Sequence, residues 1–410
     1  MRRTLLLSSV PPCGHSSGCL SQERICELLP KGSLATYVVS DYLHDVGPAP
    51  GLSWMPFRTR KGPPCSVVHK RYGRYPIIGS LASLATDLLV AIPRLPAIIE
   101  DIVAFGRKHA IEAVWCPLQG QTMIRLALPV AEQLQVPLLT QVWDPPTWWL
   151  REHRLHPYSQ RRILHQFGLT ISASARFGAA SEPMAQEYTT KYNARAVPLL
   201  PFLPDEYHVQ AAKAKAEGDR FRIGIAGQLY AQTEWQALFQ ALDRVGWKIR
   251  GKQVTVGYLG SYPLQHGHAN AYIERLGSRP QQKCIRILSS FDVLYCPYWF
   301  DRTFETEARL SFPSKLVTYL AAGRPVFFHG PEYASAVPLM RYNDIGRCCH
   351  SLDPEAILQS LEQVLLDPGL WTRLSKNVQR TFFDFFSLTA QKPYLARFFD
   401  LPETRLSTAS

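Results

Sequence analysis

The chain has 410 residues and carries 45 Lys and Arg against 33 Asp and Glu, a formal net charge of +12 at pH 7. Hydrophobic residues make up 46% and charged residues 19%, which excludes intrinsic disorder, collagen-like fibres and a small disulfide scaffold. At about 150 residues per domain, this length predicts two or three domains, each able to bury its own core.

The positive charge is compatible with three kinds of partner: nucleic acid, an anionic membrane surface or an anionic substrate. The densest basic clusters, residues 58–61 and 70–74, stand beside proline and glycine, as they would at the edges of loops. Nucleic-acid-binding proteins concentrate Lys and Arg more strongly than this. We therefore expect no nucleic acid among the partners.

The nine cysteines include no Cys-x-x-Cys pair, so no metal site is predicted. Several fall in apolar runs, where a free thiol behaves as a small hydrophobe. No apolar run reaches about 18 residues, and we expect no transmembrane helix. The first residues are interpreted as a β-strand rather than a signal peptide, because their apolar core is only about seven residues long. These features predict a reduced, cytoplasmic protein.

Strand-like and helix-like segments alternate along the chain, which is typical of a parallel sheet covered by helices. A proline-rich and charged stretch at residues 198–220 is interpreted as a linker, after which the alternation begins again. The predicted strands are residues 4–10, 35–40, 112–117, 136–142, 169–174, 221–226, 254–257, 292–296 and 325–328. The predicted helices include residues 20–29, 123–134, 316–322 and 354–366.

Between residues 81 and 103, apolar side chains recur at helical spacing, although Pro93 and Pro96 must kink or break the helix. A packed pair of helices is the favoured interpretation. The alternative is a helix that rests on a membrane beside the basic residues 70–74. It predicts a peripheral contact with the inner face of the membrane.

The first chemical motif, Gly-His-Ser-Ser-Gly at residues 14–18, has the spacing of the nucleophile elbow of α/β-hydrolases. A hydrolase places that elbow after several strands, whereas this motif follows the first strand. We prefer its other use, the close approach of backbone to a ligand beside a helix N-terminus. Gly14 and His15 would then face the ligand.

The second motif, residues 311–326, combines several features of an anion site. Pro313 suits the first turn of a helix, which Ser311 could cap and which Gly323 would end. The free amides of that turn and the helix dipole attract phosphate, and Lys315 adds a full positive charge. An ordinary capped helix without a ligand is the alternative.

This motif, Ser-Phe-Pro-Ser-Lys-Leu followed by Ala-Ala-Gly-Arg-Pro-Val, resembles the donor-site helix of family-4-like glycosyltransferases with the GT-B fold. Residues 180–188, 223–229 and 292–297 resemble other segments of that family, in the right order. The resemblance implies an α/β protein with two Rossmann-like domains facing across a cleft. Residues 1–205 would bind the acceptor and residues 206–370 the donor, and a C-terminal helix in residues 371–410 would return to the first domain.

The function implied by the resemblance is metal-independent transfer of a hexose, with retention of configuration, from a nucleotide sugar. The acceptor would be a surface glycan or a lipid-linked intermediate. Because the nucleotide sugar is a co-substrate, no cofactor is expected. The diphosphate would be held by Ser311, Ser314 and Lys315, with Gly227 and Gln228 on the opposite wall.

Four positions depart from the family's pattern. Gln228 and Thr233 stand where cations are usual, and Leu310 and Thr318 stand where two glutamates are usual. Thr318 would lie near the donor ribose, and Arg309 and Arg324, like Lys315, are candidate replacements for the missing cations. Glu305 and Glu307 could replace the first glutamate.

The departures keep two alternatives open. One is a catalytically degenerate GT-B protein that acts as a binding or scaffolding partner, and the other is a GT-B sugar-nucleotide epimerase.

The third motif, residues 141–149, ends a predicted strand with Trp143 and Asp144 and continues with two further tryptophans. An aromatic ring can stack on the C–H face of a sugar while a carboxylate accepts its hydroxyl hydrogen bonds. Asp144 is therefore the candidate acceptor ligand or general base, and Trp143 the candidate platform. The alternative is that these aromatic side chains pack a hinge.

Overall fold

The structure, a computed structural model, describes residues 3–14, 17–42, 45–63, 76–210, 220–228, 230–261, 271–365 and 367–407. The chain forms two compact units. The first is Met1–Leu199 with Lys392–Ser410, and the second is Leu200–Gln391.

The first unit is built on a parallel sheet of seven strands in the order β3-β2-β1-β4-β5-β6-β7. The strands β1 and β4 are fully buried, as expected where helices cover both faces. The chain leaves β1 toward β2 on one side and returns to β4 on the other, so the strand order reverses between β1 and β4. The strands are β1 Thr4–Ser8, β2 Leu34–Ser40, β3 Phe57–Lys61, β4 Ala113–Pro117, β5 Leu138–Val142, β6 Arg176–Ala179 and β7 Ala196–Pro198.

Helices connect these strands. They are α1 Ser17–Leu28, α2 Pro76–Thr86, a π turn Asp87–Ala91, α3 Ile92–Lys108, α4 Gly120–Leu134, α5 Pro146–Glu152, α6 Pro157–Ser172 and α7 Glu182–Tyr192. The prolines at 93 and 96 do not break the helix as the sequence predicted. Ile92 N–H donates to Asp87 O across the π turn directly before Pro93, and the helix continues.

The second unit repeats the design. Its strand order is β11-β10-β8-β12-β13-β14, and the short β9 pairs antiparallel with β10. The order reverses between β8 and β12, the position where open α/β sheets bind ligands. The strands are β8 Arg220–Ala226, β9 Lys248–Ile249, β10 Lys252–Leu259, β11 Ile273–Arg275, β12 Val293–Pro297, β13 Val326–His329 and β14 Gly346–Cys349.

The helices of this unit lie on both sides of the sheet, over two buried apolar clusters. They are α8 Gln232–Arg244, α9 Gln281–Leu288, α10 Glu305–Leu310, α11 Ser314–Ala321, α12 Val337–Asn343, α13 Pro354–Leu365, α14 Pro368–Thr381 and a π turn Phe382–Phe386. The last helix, α15 Leu388–Phe399, begins in the second unit and ends in the first. Trp371, Phe382 and Phe386 are buried within the second unit.

One predicted strand is wrong. Residues 169–172 are the last turn of helix α6, which ends at Ser172, and the strand follows at Arg176–Ala179. Thr170 is compatible with the helix because its hydroxyl donates to Gln166 O at 2.8 Å, one turn earlier. The sequence analysis missed five strands, β3, β7, β9, β11 and β14. Of these, β3 lies at the sheet edge, where its alternating charges suit solvent.

All eight cysteines in the described ranges are free thiols. Within those ranges no helix is long and apolar enough to cross a membrane. No group of three or more His, Cys, Asp or Glu that could hold a metal is found in the same part of the chain. The two histidines at residues 266 and 268 lie outside that part of the chain.

Candidate ligand sites at the two sheet edges

The candidate anion site lies at the carboxyl edge of the second unit's sheet. In a parallel sheet all strands end at the same edge, so the segments after β8 and β12 lie there together. Gly227 directly follows β8 with φ +82, a conformation that favours glycine, and it is exposed. Gln228 is exposed beside it.

Lys315 lies in the first turn of α11 and reaches this loop. Its Nζ donates to Gln228 O at 3.0 Å and lies 4.2 Å from the centroid of the Tyr230 ring. Burial lowers the pKa of Lys315 to about 8. Among the described residues no carboxylate pairs with it. Its ammonium group is therefore partly desolvated and contacts a carbonyl and an aromatic ring, both neutral, which leaves it able to attract an anion.

The start of α11 differs from the prediction. The helix begins at Ser314 with Pro313 as its N-cap, and no side chain caps it. Ser311 is instead the C-cap of α10, so the prediction that it caps the following helix is wrong. Because proline has no side-chain oxygen that could accept a hydrogen bond, Pro313 as the N-cap leaves the first amides of α11 uncapped by a side chain. Ser314 is exposed at this end.

Ser311 nevertheless lies within this turn with an unused hydroxyl. The residue is 3% exposed, and its Oγ has no hydrogen-bond partner among the described residues. Its backbone is fixed, since Ser311 O accepts from Tyr298 Oη at 3.1 Å and from Ser335 Oγ. An unpartnered buried hydroxyl is costly, and a ligand oxygen at this turn would satisfy it.

Thr318 lies one turn further along α11. It is 8% exposed, and its Oγ1 accepts from Gln281 Nε2 at 3.4 Å. The first residue of α9 thus approaches the position that the resemblance assigns to the donor ribose. An amide and a hydroxyl, rather than a carboxylate, are the polar groups there.

The sequence analysis did not predict the cluster of aromatic side chains at this edge. Tyr230 and Trp299 have ring centroids 4.7 Å apart, and Trp299 stacks on Phe304 at 5.2 Å. The loop that carries Trp299 is held by Glu234, which is 2% exposed and accepts from Phe300 N at 2.6 Å. Burial raises the pKa of the Glu234 carboxyl. The aromatic run directly after β12 was the available signal.

Arg324 does not belong to this site, contrary to the prediction that it replaces a missing cation. It follows the carboxyl end of α11, where its Nε donates to Ser289 O at 2.7 Å and its guanidinium lies 5.0 Å from the Trp371 ring centroid. Arg309 is exposed on α10, Glu305 is half-buried and Glu307 is buried. Their roles at the donor site stay predictions.

The first unit has a second candidate site at the carboxyl edge of its own sheet. Trp143 follows β5 and is half-buried against the first turn of α1. A Cβ on Gly18 would lie 3.1 Å from Trp143 Cζ3 and 3.6 Å from Gln119 Oε1. Because residue 18 is glycine, the Trp143 indole and the Gln119 amide can both approach the first turn of α1.

Asp144 is exposed at this edge, directly after Trp143. Gly14, in the loop after β1, is also exposed, and a Cβ added there would have no atom within 4 Å. His15 lies outside the described residues. The site thus combines an indole, an amide and a carboxylate, groups that suit a polyhydroxylated ligand.

Comparison with solved structures identifies the fold. A sucrose-phosphate synthase from Thermosynechococcus elongatus superposes with a TM-score of 0.67 at 13% identity, over 97% of this chain and 98% of that one. HepE of Anabaena in complex with UDP gives 0.65 at 13% identity, over 98% and 100%. The α,α-trehalose 6-phosphate synthase of Burkholderia multivorans gives 0.63 at 13% identity, over 98% and 99%.

The protein has the GT-B fold, which it shares with these structures. No family model and no curated protein matches its sequence.

Proposed function

We propose that the protein is a glycosyltransferase that uses a nucleotide sugar as donor. The observation that carries the proposal is Lys315, whose half-buried ammonium lies between the uncapped start of α11 and the loop after β8. Ammonium, free amides and helix dipole together form an anion site suited to a diphosphate. The motif at residues 311–326 supports membership of the family-4-like enzymes.

In the proposed reaction the bond between the sugar and the diphosphate breaks, and negative charge grows on the leaving diphosphate. Lys315 and the amides of Ser314 and its neighbours would stabilise that charge without rearranging, because the fold already holds them in place. The hydroxyl of Ser311 would donate to a phosphate oxygen. Gly227 would allow close approach of the backbone, and Gln228 would line the opposite wall.

The residues at this edge indicate the kinds of contact that the donor would make, without naming its base or its sugar. The half-buried rings of Tyr230 and Trp299 would offer aromatic surface next to the anion site, and Gln281 and Thr318 would offer hydrogen bonds to a ribose. HepE was solved with UDP and with UDP and glucose, which makes UDP-hexoses the first donors to test.

The acceptor would be held by the first unit. Trp143 would stack on a sugar ring, and Asp144 would accept a hydrogen bond from the acceptor hydroxyl and take its proton as the new bond forms. A glycan or a lipid-linked sugar would meet these requirements. Gly14 would let such a ligand approach the backbone after β1.

The test is a thermal-shift panel with UDP, GDP, ADP, TDP and their common sugars. A ligand that binds the native state at a hundredfold excess over its Kd stabilises it by about 2.7 kcal/mol. A selective shift with one nucleotide, followed by transfer of its sugar to an acceptor, supports the proposal. The absence of a shift with every nucleotide would contradict it.

A second candidate, a degenerate GT-B protein that binds without turnover, rests on Thr233 and Thr318. The resemblance assigns a cation to the first position and a carboxylate to the second, and neither is present. Nucleotide binding with neither transfer nor hydrolysis of any donor would favour this candidate. Product formed without acceptor would favour an epimerase.

A further inference from the structure

The helix α2 and the π turn after it present apolar side chains to solvent along one face. Six residues at helical spacing are exposed, and Ile77, Leu81 and Leu89 retain 77%, 57% and 75% of their accessible surface. None of the six is polar. We call them the outer face: Ile77, Ile78, Leu81, Ala85, Leu88 and Leu89.

The opposite face of the same helix is buried, although it carries the polar groups. Ser83 is 5% exposed and Asp87 is 3% exposed. Asp87 receives two hydrogen bonds from Arg125, at 2.6 and 2.9 Å, and a third from Ser159 Oγ at 2.7 Å. The helix is thus attached to α4 and α6 by an ion pair, with its apolar side turned outward. A helix on a water-facing surface has the reverse arrangement.

The helix α3, which continues α2 and the π turn, packs in the core. Along this continuous helix, the exposure of large apolar side chains is therefore confined to α2 and the π turn. In α3, Ile98, Ile99 and Ile102 are at most 9% exposed and pack in the first unit's core. The sequence analysis treated residues 81–103 as one stripe. The structure divides it, so the packed-helix interpretation holds for the second half only.

The sequence around the outer face is rich in cations. Residues 46–101 contain seven basic residues and three acidic residues. Arg58 and Arg60 are paired with Asp101, so they add little free positive charge. Asp87 is buried and paired with Arg125, so it adds no negative surface. Arg94 is exposed one turn after Leu89. An apolar helical face in a region rich in cations is typical of a contact with anionic lipid.

We propose that the outer face docks the protein on an anionic lipid bilayer. The apolar side chains would enter the boundary between headgroups and acyl chains, while the exposed Arg94 contacts a lipid phosphate. Because only one face of the helix is apolar, it would lie along the bilayer surface. The inference does not depend on the transferase activity, since it uses none of the residues of the two candidate ligand sites.

The experiment is flotation of the full-length protein with vesicles of phosphatidylcholine alone and with an equal mixture of phosphatidylcholine and phosphatidylglycerol. We expect flotation with the mixed vesicles only, weakened at high salt. The triple variant Ile77→Gln, Leu81→Gln, Leu89→Gln should reduce the bound fraction about tenfold or more. Because these side chains are exposed, the variant should keep the wild-type circular dichroism spectrum and unfolding temperature.

The matched control is Leu169→Gln with Tyr342→Gln, which removes two exposed apolar side chains elsewhere, 47% and 89% exposed. Its flotation should equal that of the wild type. Equal binding by the triple variant would overturn the proposal, as would failure of the wild type to float. A wild-type dimer that the triple variant converts to a monomer, without flotation, would assign the outer face to a second copy of the chain instead.

Discussion

In the second unit the carboxyl edge of the sheet presents an ammonium group and the start of a helix, whereas in the first unit the same edge presents an indole and a carboxylate. In each sheet the strand order reverses once, between β8 and β12 in the second unit and between β1 and β4 in the first. Lys315 lies on a segment that follows β12, whereas Trp143 and Asp144 follow β5, the strand next to β4. We propose one ligand position at each of these edges. Lys315 suits one of them to an anion, and Trp143 with Asp144 suits the other to hydroxyl groups.

The largest expected effect is a loss of turnover without a loss of nucleotide binding, which distinguishes the first edge from the second. Asp144→Asn should lower kcat by about a hundredfold or more, because it removes the proposed proton acceptor, while the Kd for nucleotide stays unchanged. Steady-state kinetics and calorimetry on one preparation measure both quantities. The control Glu152→Gln, an exposed carboxylate of the same unit, should leave both unchanged. Loss of nucleotide affinity in Asp144→Asn would show that the division between the edges is wrong.

The next effect is on binding at the second edge. Lys315→Met should weaken nucleotide diphosphate binding about a hundredfold, as expected for loss of a charge-assisted contact worth about 1.5–3 kcal/mol. Isothermal titration calorimetry gives the Kd. Lys376→Met removes an exposed cation on α14 and should change nothing. An unchanged Kd in Lys315→Met would remove the anion site from the second edge.

Arg324→Met tests whether Arg324 contributes to nucleotide binding at the second edge. We expect nucleotide affinity to be unaffected, since Arg324 lies at the far end of α11. The free energy of unfolding should fall by about 2 kcal/mol, because the Ser289 carbonyl loses its donor and Trp371 its cation. Urea denaturation measures this change. A stable variant with weakened nucleotide binding would contradict the assignment.

A smaller, graded effect is expected from pH. The pKa of Lys315 is about 8 in the free protein, and a bound diphosphate must raise it, because the anion favours the charged form. Binding therefore takes up a proton above pH 8, and nucleotide affinity should fall by up to about tenfold per pH unit there. Lys315→Met should abolish that slope. A wild-type affinity that is flat between pH 7 and 9.5 would contradict the role of Lys315.

The smallest effect concerns the first edge. Gly18→Ala places a methyl group 3.1 Å from the Trp143 ring, so the ring must move by a few tenths of an ångström. We expect the KM for acceptor to rise about threefold and stability to fall by about 1 kcal/mol. Gly47→Ala is the control, because a Cβ added at Gly47 would have no atom within 4 Å. An unchanged KM in Gly18→Ala would separate Trp143 from acceptor binding.

Much of the fold was predictable, because buried parallel strands and amphipathic helices have strong local patterns. The strand β1 and the helix α11 came close to their observed bounds. The strand predicted at 169–174 was wrong because Thr170 and Ile171 favour strands locally, while helix packing decided the outcome. The edge strand β3 gave no apolar signal.

The candidate sites could be proposed from the sequence where one short segment carries the chemistry, as with Lys315 or with Trp143 and Asp144, and the roles of these residues stay predictions. They were not predictable where distant segments meet. The approach of Gln281 to Thr318 and the hold of Glu234 on Phe300 N join segments 37 and 66 residues apart. Ser311 was predicted to cap the start of α11, but it ends α10 instead, because Pro313 is the N-cap of α11.

The π turn at Asp87–Ala91 also has a consequence for how the helix could change in evolution. A π turn holds about one more residue than the α-helical turn it replaces. Deleting one residue there would restore regular winding and rotate everything before it by about 100°. The outer face would then no longer point to solvent, although no residue in it had changed. The rotational phase of the helix thus depends on a single inserted residue.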